Sequence, residues 1–176
     1  GVTGTNGKSI LTTLLNNALS LSGHVSLAAG NIGYPFSDAV LSEANQSEAY
    51  VVLEISSFQA ELADDLQLDG LLWTNFAEDH LDRYGSMPCY FQAKARLFNC
   101  LKCDGICVLG SQVADWMANQ CKAFEGYSIA QEATELALQL DAASVFQRFP
   151  YSKNFSLAVE LWRLMNMPPA ALIGAA

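Results

Sequence analysis

A glycine-rich loop that opens directly into an amphipathic helix is the feature that most constrains this chain. Apolar residues recur at helical spacing over residues 9–21 behind the loop, and Gly23 marks a stop. The backbone N–H groups of such a loop can turn toward a phosphate, and the helix N-terminus adds positive potential. We therefore expect the loop to bind nucleotide phosphates. Its residues are Gly4, Thr5, Asn6, Gly7, Lys8 and Ser9.

Two side chains of the loop carry specific chemistry. Lys8 is placed to reach the β- and γ-phosphates, and Ser9 can ligate Mg²⁺. The generic phosphate-loop pattern has a glycine five residues before Gly7, where this chain has Val2. On the loop alone, a glycine-rich turn between a strand and a helix is the alternative. The Lys-Ser pair at the start of an amphipathic helix favours phosphate binding.

Short apolar runs alternate with helical segments along the whole chain. The runs at 25–29, 50–53, 71–75 and 105–109 indicate strands. Helices are predicted over 35–43, 58–66, 88–101, 112–119, 131–140 and 154–166, with a weak strand over 123–127. This alternation predicts an α/β fold, an open and mostly parallel sheet with helices on both faces.

Residues with metal-binding or acid-base chemistry follow two of the predicted strands. Glu54 ends an apolar run, where a carboxylate can hold Mg²⁺ opposite the phosphate loop. His80 lies between aspartates in a later loop and can act as a metal ligand or in acid-base chemistry. Solvated side chains are the alternative for both. Because ligands of parallel sheets bind at the carboxyl ends of strands, we expect Lys8, Glu54 and His80 at one edge.

Composition narrows the classes of function. A chain of 176 residues corresponds to one domain, and 51% hydrophobic residues without any run near the ~20 residues of a membrane span predict a globular domain. The net charge of −9 argues against a nucleic-acid partner. The five cysteines are an odd number, and no signal peptide precedes them, which favours a cytoplasmic protein.

Four motifs, in this order, resemble those of the Mur ligases, the ATP-dependent amide-bond-forming enzymes of peptidoglycan precursor synthesis. They lie at residues 1–9, where an apolar residue at position 2 is normal for the family, at 30–33, at 53–59, and at 79–87 with 93–96. They are most like those of the member that adds D-glutamate to UDP-N-acetylmuramoyl-L-alanine. The resemblance is firm to about residue 109 and thin beyond it.

The resemblance implies a catalytic centre with two metal ions. Lys8 would stabilise the β- and γ-phosphates of ATP, and Ser9 and Glu54 would hold one Mg²⁺. His80 would ligate a second Mg²⁺. CO₂ would convert the Lys94 amine to a carbamate that supports the second ion. Lys8, His80 and Lys94 are thus the catalytic residues that the resemblance implies.

The resemblance also implies substrate contacts and a reaction. Asn31, Ser56 and Gln59 would face the UDP-sugar, and Asn154 would serve the adenine. The γ-phosphoryl group would pass to the L-alanyl carboxylate to give an acyl phosphate. The amine of D-glutamate would then attack it, and ADP and phosphate would be released.

The chain begins inside the phosphate-loop motif, so we expect residues 1–176 to be the central ATP-binding domain of a longer ligase. The N-terminal UDP-binding domain, the C-terminal domain and the strand before the loop would be absent. We expect this piece to be a monomer and inactive alone. Another Mur ligase or a folylpolyglutamate synthase-like amide ligase, a nucleotide-binding module without turnover, and a small-molecule kinase are the alternatives.

Overall fold

The computed structural model describes residues 1–42, 46–120 and 126–176. Within these residues, the strands form one parallel sheet, and helices lie between them along the chain. The order of the strands in the sheet differs from their order in the sequence. The strands are β1 (Val2–Thr3), β2 (Ser26–Gly30), β3 (Tyr50–Glu54), β4 (Leu68–Trp73), β5 (Leu101–Leu109) and β6 (Ser128–Ile129). Their order in the sheet is β2-β3-β1-β4-β5-β6, and each neighbouring pair is parallel. The predicted α/β fold is confirmed.

The helices connect successive strands or follow the last one. They are α1 (Lys8–Leu21), α2 (Phe36–Leu41), α3 (Ser57–Ala60), α4 (Leu81–Tyr84), α5 (Met87–Ala95), α6 (Ser111–Gln120), α7 (Thr134–Ala137), α8 (Tyr151–Leu164) and α9 (Ala170–Ala175). Short 3₁₀ turns lie at Arg96–Cys100 and Val145–Gln147. None of these helices has the length and apolar character that crossing a lipid bilayer requires.

Two apolar clusters cover the two faces of the sheet. On one face, α1, α8 and α9 pack together over residues such as Leu11, Leu15 and Trp162. On the other face, Trp73 and Phe91 stack with ring centroids 4.8 Å apart, and the ring of Phe76 packs edge-on against both. Both faces are therefore closed by apolar side chains, as the buried parallel strands require.

Three sequence expectations about local structure are wrong. Val2 and Thr3 do form a strand before the loop, since Val2 pairs with both Glu54 and Leu72. The helix expected over 58–66 ends at Ala60, because the residues after it bury no continuous apolar face. The helix expected over 131–140 spans only Thr134–Ala137, because most residues of this segment are exposed and bury no continuous apolar face.

Other predicted elements keep their type with shifted bounds. The helix expected over 88–101 turns into a 3₁₀ segment after Ala95, and β5 begins at Leu101 rather than at residue 105. The weak strand over 123–127 lies largely outside the described residues, as do the last residue of the helix expected over 35–43 and Cys121.

The strand order decides where a ligand can bind. From β1 the chain moves to the far edge at β2, returns through β3, and then crosses β1 to reach β4. This reversal places β1 between β3 and β4, and clefts at such reversals bind ligands beyond the carboxyl ends of the strands. The loop after β1 therefore lies between the segments that follow β3 and β4.

Candidate active site

The phosphate loop joins β1 to α1 and depends on two glycines with positive φ. Gly4 has φ 144° and Gly7 has φ 79°, and Gly7 caps the helix that begins at Lys8. L side chains rarely adopt these backbone angles, so glycine is required at both turns. The N–H groups of the first helical turn have no partner within the helix and remain available to an anion.

The end of β4 holds the loop from one side. The amide of Asn75 bonds both backbone groups of Asn6, accepting from its N–H at 2.9 Å and donating to its carbonyl at 2.9 Å. The Thr74 hydroxyl donates to the same carbonyl at 2.7 Å. A Cβ on Gly4 would lie 1.9 Å from the Thr74 hydroxyl oxygen, so only glycine permits this approach. The loop is thus fixed without any ligand.

Asn154, on α8, holds the loop from the other side. This residue is 4% exposed, and its Nδ2 donates to the Gly7 carbonyl at 3.1 Å. A Cβ on Gly7 would lie 2.5 Å from that nitrogen. Residues 147 positions apart therefore meet at the turn where the helix begins.

Glu54 is a buried carboxylate with one oxygen unpaired. It ends β3 and is 2% exposed. Its Oε1 accepts from Asn31 Nδ2 at 2.9 Å, whereas its Oε2 has no hydrogen-bond partner. A buried ionised oxygen without a partner is costly, and a cation offsets that cost. This orphaned oxygen fits the Mg²⁺ ligand that the sequence predicts at this position.

Two lysines meet at one backbone carbonyl of the loop. Lys8 Nζ donates to the Gly4 carbonyl at 3.2 Å and to the Thr5 carbonyl at 3.0 Å. Lys94 Nζ, on α5, donates to the Gly4 carbonyl at 2.9 Å. Lys94 is 1% exposed, and its burial, together with the charge of Lys8, lowers its pKa to about 7, against a smaller opposing effect of Asp79.

His80 and Lys94 lie against the same aromatic ring. The Lys94 nitrogen is 5.0 Å from the centre of the Tyr90 ring, and the His80 ring centre is 6.0 Å from it. His80 has a left-handed backbone, φ 51°, and its Nε2 is 3.5 Å from a carboxylate oxygen of Asp79. His80 is 42% exposed on its side chain, so it faces the open side of the site.

An ion pair holds the His80 loop beside the helix that follows Glu54. Arg83 on α4 donates to Glu61 at 2.6 Å, and its guanidinium lies 4.8 Å from the centre of the Phe58 ring. The Phe58 ring is 4.9 Å from that of His80. The segments that follow β3 and β4 are therefore joined across the carboxyl edge of the sheet.

The side chains alone do not complete a metal site. Across the described ranges no three His, Cys, Asp or Glu side chains gather closely enough to hold a metal ion. A cation beside Glu54 would need other oxygen ligands, such as the Ser9 hydroxyl and phosphate. A cation beside His80 would need a further anionic ligand, which a carbamate on Lys94 would supply.

Comparison with known families shows which family this chain belongs to. Residues 2–164 match the sequence model of the Mur ligase middle domain. The chain belongs to the Mur ligase family. The resemblance seen in the four motifs is thereby confirmed. The match also includes residues beyond about 109, where the resemblance of the motifs is thin.

Several named Mur ligases are similar to this chain. It is 33% identical to the UDP-N-acetylmuramoylalanine–D-glutamate ligase of Desulfotalea psychrophila over 98% of this chain and 38% of that protein. It is 47% identical to the enzyme of the same name from Desulfitobacterium hafniense over 56% of this chain and 21% of that protein. This Mur ligase chain thus spans well under half the length of these relatives.

The fold agrees with that of a solved Mur ligase. The crystal structure of MurF from Acinetobacter baumannii matches with a TM-score of 0.68 at 16% identity, covering 99% of this chain and 44% of that one. At this identity the match bears on the fold alone.

Several residues predicted from sequence lie at the same edge of the sheet. Glu54 ends β3, and Lys8 and Lys94 converge on Gly4. Ser9 is exposed in the first turn of α1. The roles predicted for these residues and for His80 toward phosphate and metal remain predictions.

The residues expected to face the UDP-sugar are engaged with protein groups. Ser56 and Gln59 form a reciprocal cap at the start of α3, in which the Gln59 Oε1 accepts from the Ser56 N–H at 2.9 Å. Asn31 bonds Glu54, and Asn154 bonds the phosphate loop rather than lying free. Their roles toward substrate and adenine also remain predictions.

Sequence reasoning missed Thr74, Asn75 and Tyr90. Thr74 and Asn75 hold the loop, and the Tyr90 hydroxyl lies 3.4 Å from the Thr5 hydroxyl. A signal for the first two was available, since a Thr-Asn pair directly follows an apolar strand. Nothing in the sequence pattern places Tyr90 beside Thr5.

Proposed function

We propose that this chain is the central ATP-binding domain of a longer ligase that joins D-glutamate to UDP-N-acetylmuramoyl-L-alanine. The observation that carries the proposal is the braced phosphate loop beside the unpaired Glu54 oxygen, in a chain that belongs to the Mur ligases. The names of the relatives support D-glutamate as the amino acid. Mur ligases depend on ATP, which implies ATP and Mg²⁺ at this loop.

The loop residues would hold the triphosphate for in-line transfer. The N–H groups at the start of α1 and the Lys8 ammonium would bind phosphate oxygens and offset the charge that develops during transfer. Ser9 and Glu54 would hold one Mg²⁺, which would supply further positive charge at the phosphates. The L-alanyl carboxylate would be phosphorylated, and the amine of D-glutamate would displace phosphate to form the amide.

Lys94 would contribute as a carbamate rather than as a cation. Only a neutral amine attacks CO₂, and the pKa of about 7 leaves a large neutral fraction near neutral pH. The amine would attack the carbon of CO₂, so that a C–N bond forms as one C=O π bond breaks onto oxygen, and one proton would leave to solvent. The resulting anion would lie in the region of His80 and support the second Mg²⁺.

Lys94→Ala tests the carbamate in the full-length ligase. We expect a loss of ligase activity that acetate or bicarbonate partly restores, because a small acid can occupy the space of the missing carbamate. Lys102→Ala is the matched control, since that lysine pairs with Asp69 on the surface. Full activity of Lys94→Ala would remove the carbamate from the mechanism.

Phosphate release by the full-length ligase tests the reaction. The enzyme receives Mg-ATP and UDP-N-acetylmuramoyl-L-alanine, with and without each candidate amino acid. We expect release that requires D-glutamate and an amide product in equal amount. Release with a different amino acid would show that the chain comes from another Mur-type ligase, which uses that amino acid as its substrate. Nucleotide binding without release would favour a binding module, and phosphorylation of a hydroxyl would favour a kinase.

The proposal also places the enzyme in the cytoplasm as a monomer. ATP and nucleotide-linked sugars are cytoplasmic compounds, which supports the location. Light scattering of the full-length protein at working concentration checks the monomer, and a dimer mass would contradict it.

A further inference from the structure

Asn31 contacts Glu54 twice at the end of two neighbouring strands. Its backbone N–H donates to the Glu54 carbonyl at 2.9 Å, and its side-chain Nδ2 donates to Glu54 Oε1 at 2.9 Å. The first bond extends the β2–β3 pairing by one residue beyond Gly30, which is paired with Glu54. The second bond fixes the carboxylate itself. Asn31 is therefore attached to both the main chain and the side chain of Glu54.

Gly30 makes this double contact possible. It has φ 100°, and a Cβ at this position would lie 2.2 Å from the Glu54 carbonyl oxygen. Any side chain here would separate the ends of β2 and β3. The glycine thus lets Asn31 turn toward Glu54 directly after the strand.

The two carboxylate oxygens consequently have different surroundings. Oε1 is occupied by Asn31, and Oε2 is buried without a partner. Mg²⁺ requires near-ideal octahedral geometry and binds through few carboxylates. A carboxylate held at one oxygen presents the other in a single orientation, which suits such a cation.

We propose that Asn31 is a positioning residue, which holds the Glu54 carboxylate so that Oε2 is the oxygen offered to Mg²⁺. This inference rests on the proposed function, since it assumes that the site binds Mg²⁺ with nucleotide. It gives Asn31 a task distinct from the substrate contact that the family resemblance implies. Loss of such outer partners typically weakens metal binding by about 10–100-fold.

Metal binding measured directly tests the proposal. Mn²⁺ is titrated into the full-length ligase saturated with a non-hydrolysable ATP analogue, and free Mn²⁺ is followed by electron paramagnetic resonance. We expect Asn31→Ala to raise the Mn²⁺ dissociation constant at least about tenfold. Asn31→Ser, which keeps a shorter donor, is expected between Asn31→Ala and the unaltered enzyme. Asn17→Ala, at an exposed asparagine of α1, is the matched control and should change nothing.

The same variants separate positioning from substrate contact. If Asn31→Ala binds Mn²⁺ like the unaltered enzyme and raises only the KM for the UDP-linked substrate, the positioning role is wrong. If Asn31→Ala does not fold, Asn31→Ser decides, and an unchanged Mn²⁺ dissociation constant contradicts the proposal. If the unaltered enzyme binds neither the analogue nor Mn²⁺, the proposed function itself fails.

Discussion

The phosphate loop and the Lys94 corner lie at the same edge of the sheet but are built in different ways. The loop is held by Thr74, Asn75 and Asn154, which bond its backbone carbonyls and one N–H. The Lys94 corner consists of one buried amine, an exposed imidazole and the ring between them. The loop is held by hydrogen bonds within the protein, whereas the Lys94 corner would become anionic only through the proposed carbamate. A fixed backbone would suit the proposed phosphate site, and an amine of lowered pKa would suit the proposed modification.

Replacing Gly7 should damage the loop most. Gly7→Ala adds a Cβ 2.5 Å from Asn154 Nδ2 at a backbone φ of 79°. Gly23→Ala is the matched control, because Gly23 has φ 86° and no atom within 4 Å of the added Cβ. Both variants bear left-handed strain of roughly 1–2 kcal/mol, and only Gly7→Ala also adds a Cβ whose overlap with Asn154 must shift the backbone of the phosphate loop itself. Calorimetric titration of the full-length ligase with Mg-ATP should show at least about 100-fold weaker binding for Gly7→Ala alone. Equal loss in both variants would mean that strain, not the contact with Asn154, matters.

The pH dependence of the free energy of unfolding should show the contribution of Lys94. Because the pKa of Lys94 is lowered from 10.5 to about 7, the unfolded chain binds more protons than the folded chain between pH 7 and 10.5. The free energy of unfolding should therefore rise with pH across this window, by on the order of a few kcal/mol. Lys94→Met should lack that rise. The free energy of unfolding of the unaltered protein and of Lys94→Met is measured with urea in CO₂-free buffer at pH 7 and pH 9. An equal change with pH in both proteins would contradict the buried, neutral Lys94 amine.

Thr74→Val should weaken the loop without changing its shape. The valine removes one hydrogen bond to the Asn6 carbonyl, which Asn75 still contacts. A bond of about 1 kcal/mol corresponds to roughly fivefold weaker Mg-ATP binding. Thr74→Ser keeps the hydroxyl and should bind like the unaltered ligase. Loss of binding in Thr74→Ser would show that the methyl group, rather than the hydrogen bond, is needed.

Asn154→Ala should have the smallest effect of these substitutions. It shows whether Asn154 holds the phosphate loop or contacts the adenine. A brace acts on the phosphates, so binding of ATP and of GTP should fall alike, by about threefold. The measurement is competition of each nucleotide against a fluorescent analogue. A loss confined to ATP would instead assign Asn154 to the adenine.

The sequence predicted much of the local structure near the site. The loop, α1, the strand ending in Glu54 and the alternation of strands and helices follow from glycines and from apolar periodicity. The lengths of α3 and α7 could not be predicted from the sequence, because local periodicity does not show which face is buried. The Val2–Thr3 strand was missed because two residues are too few to show a pattern, and β3 and β4 on either side define it.

The sequence by itself determined that a phosphate loop begins a helix, that a carboxylate ends a buried strand and that the chain resembles the Mur ligases. Only the tertiary structure placed Asn31 on Glu54, Asn154 on Gly7 and Lys94 on Gly4. The last two pairs lie 147 and 90 positions apart along the chain. Contacts over such distances depend on strand order and helix packing, which nearby residues do not encode. The lowered pKa of Lys94 has the same origin, because burial arises from the whole fold and not from the helix that carries it.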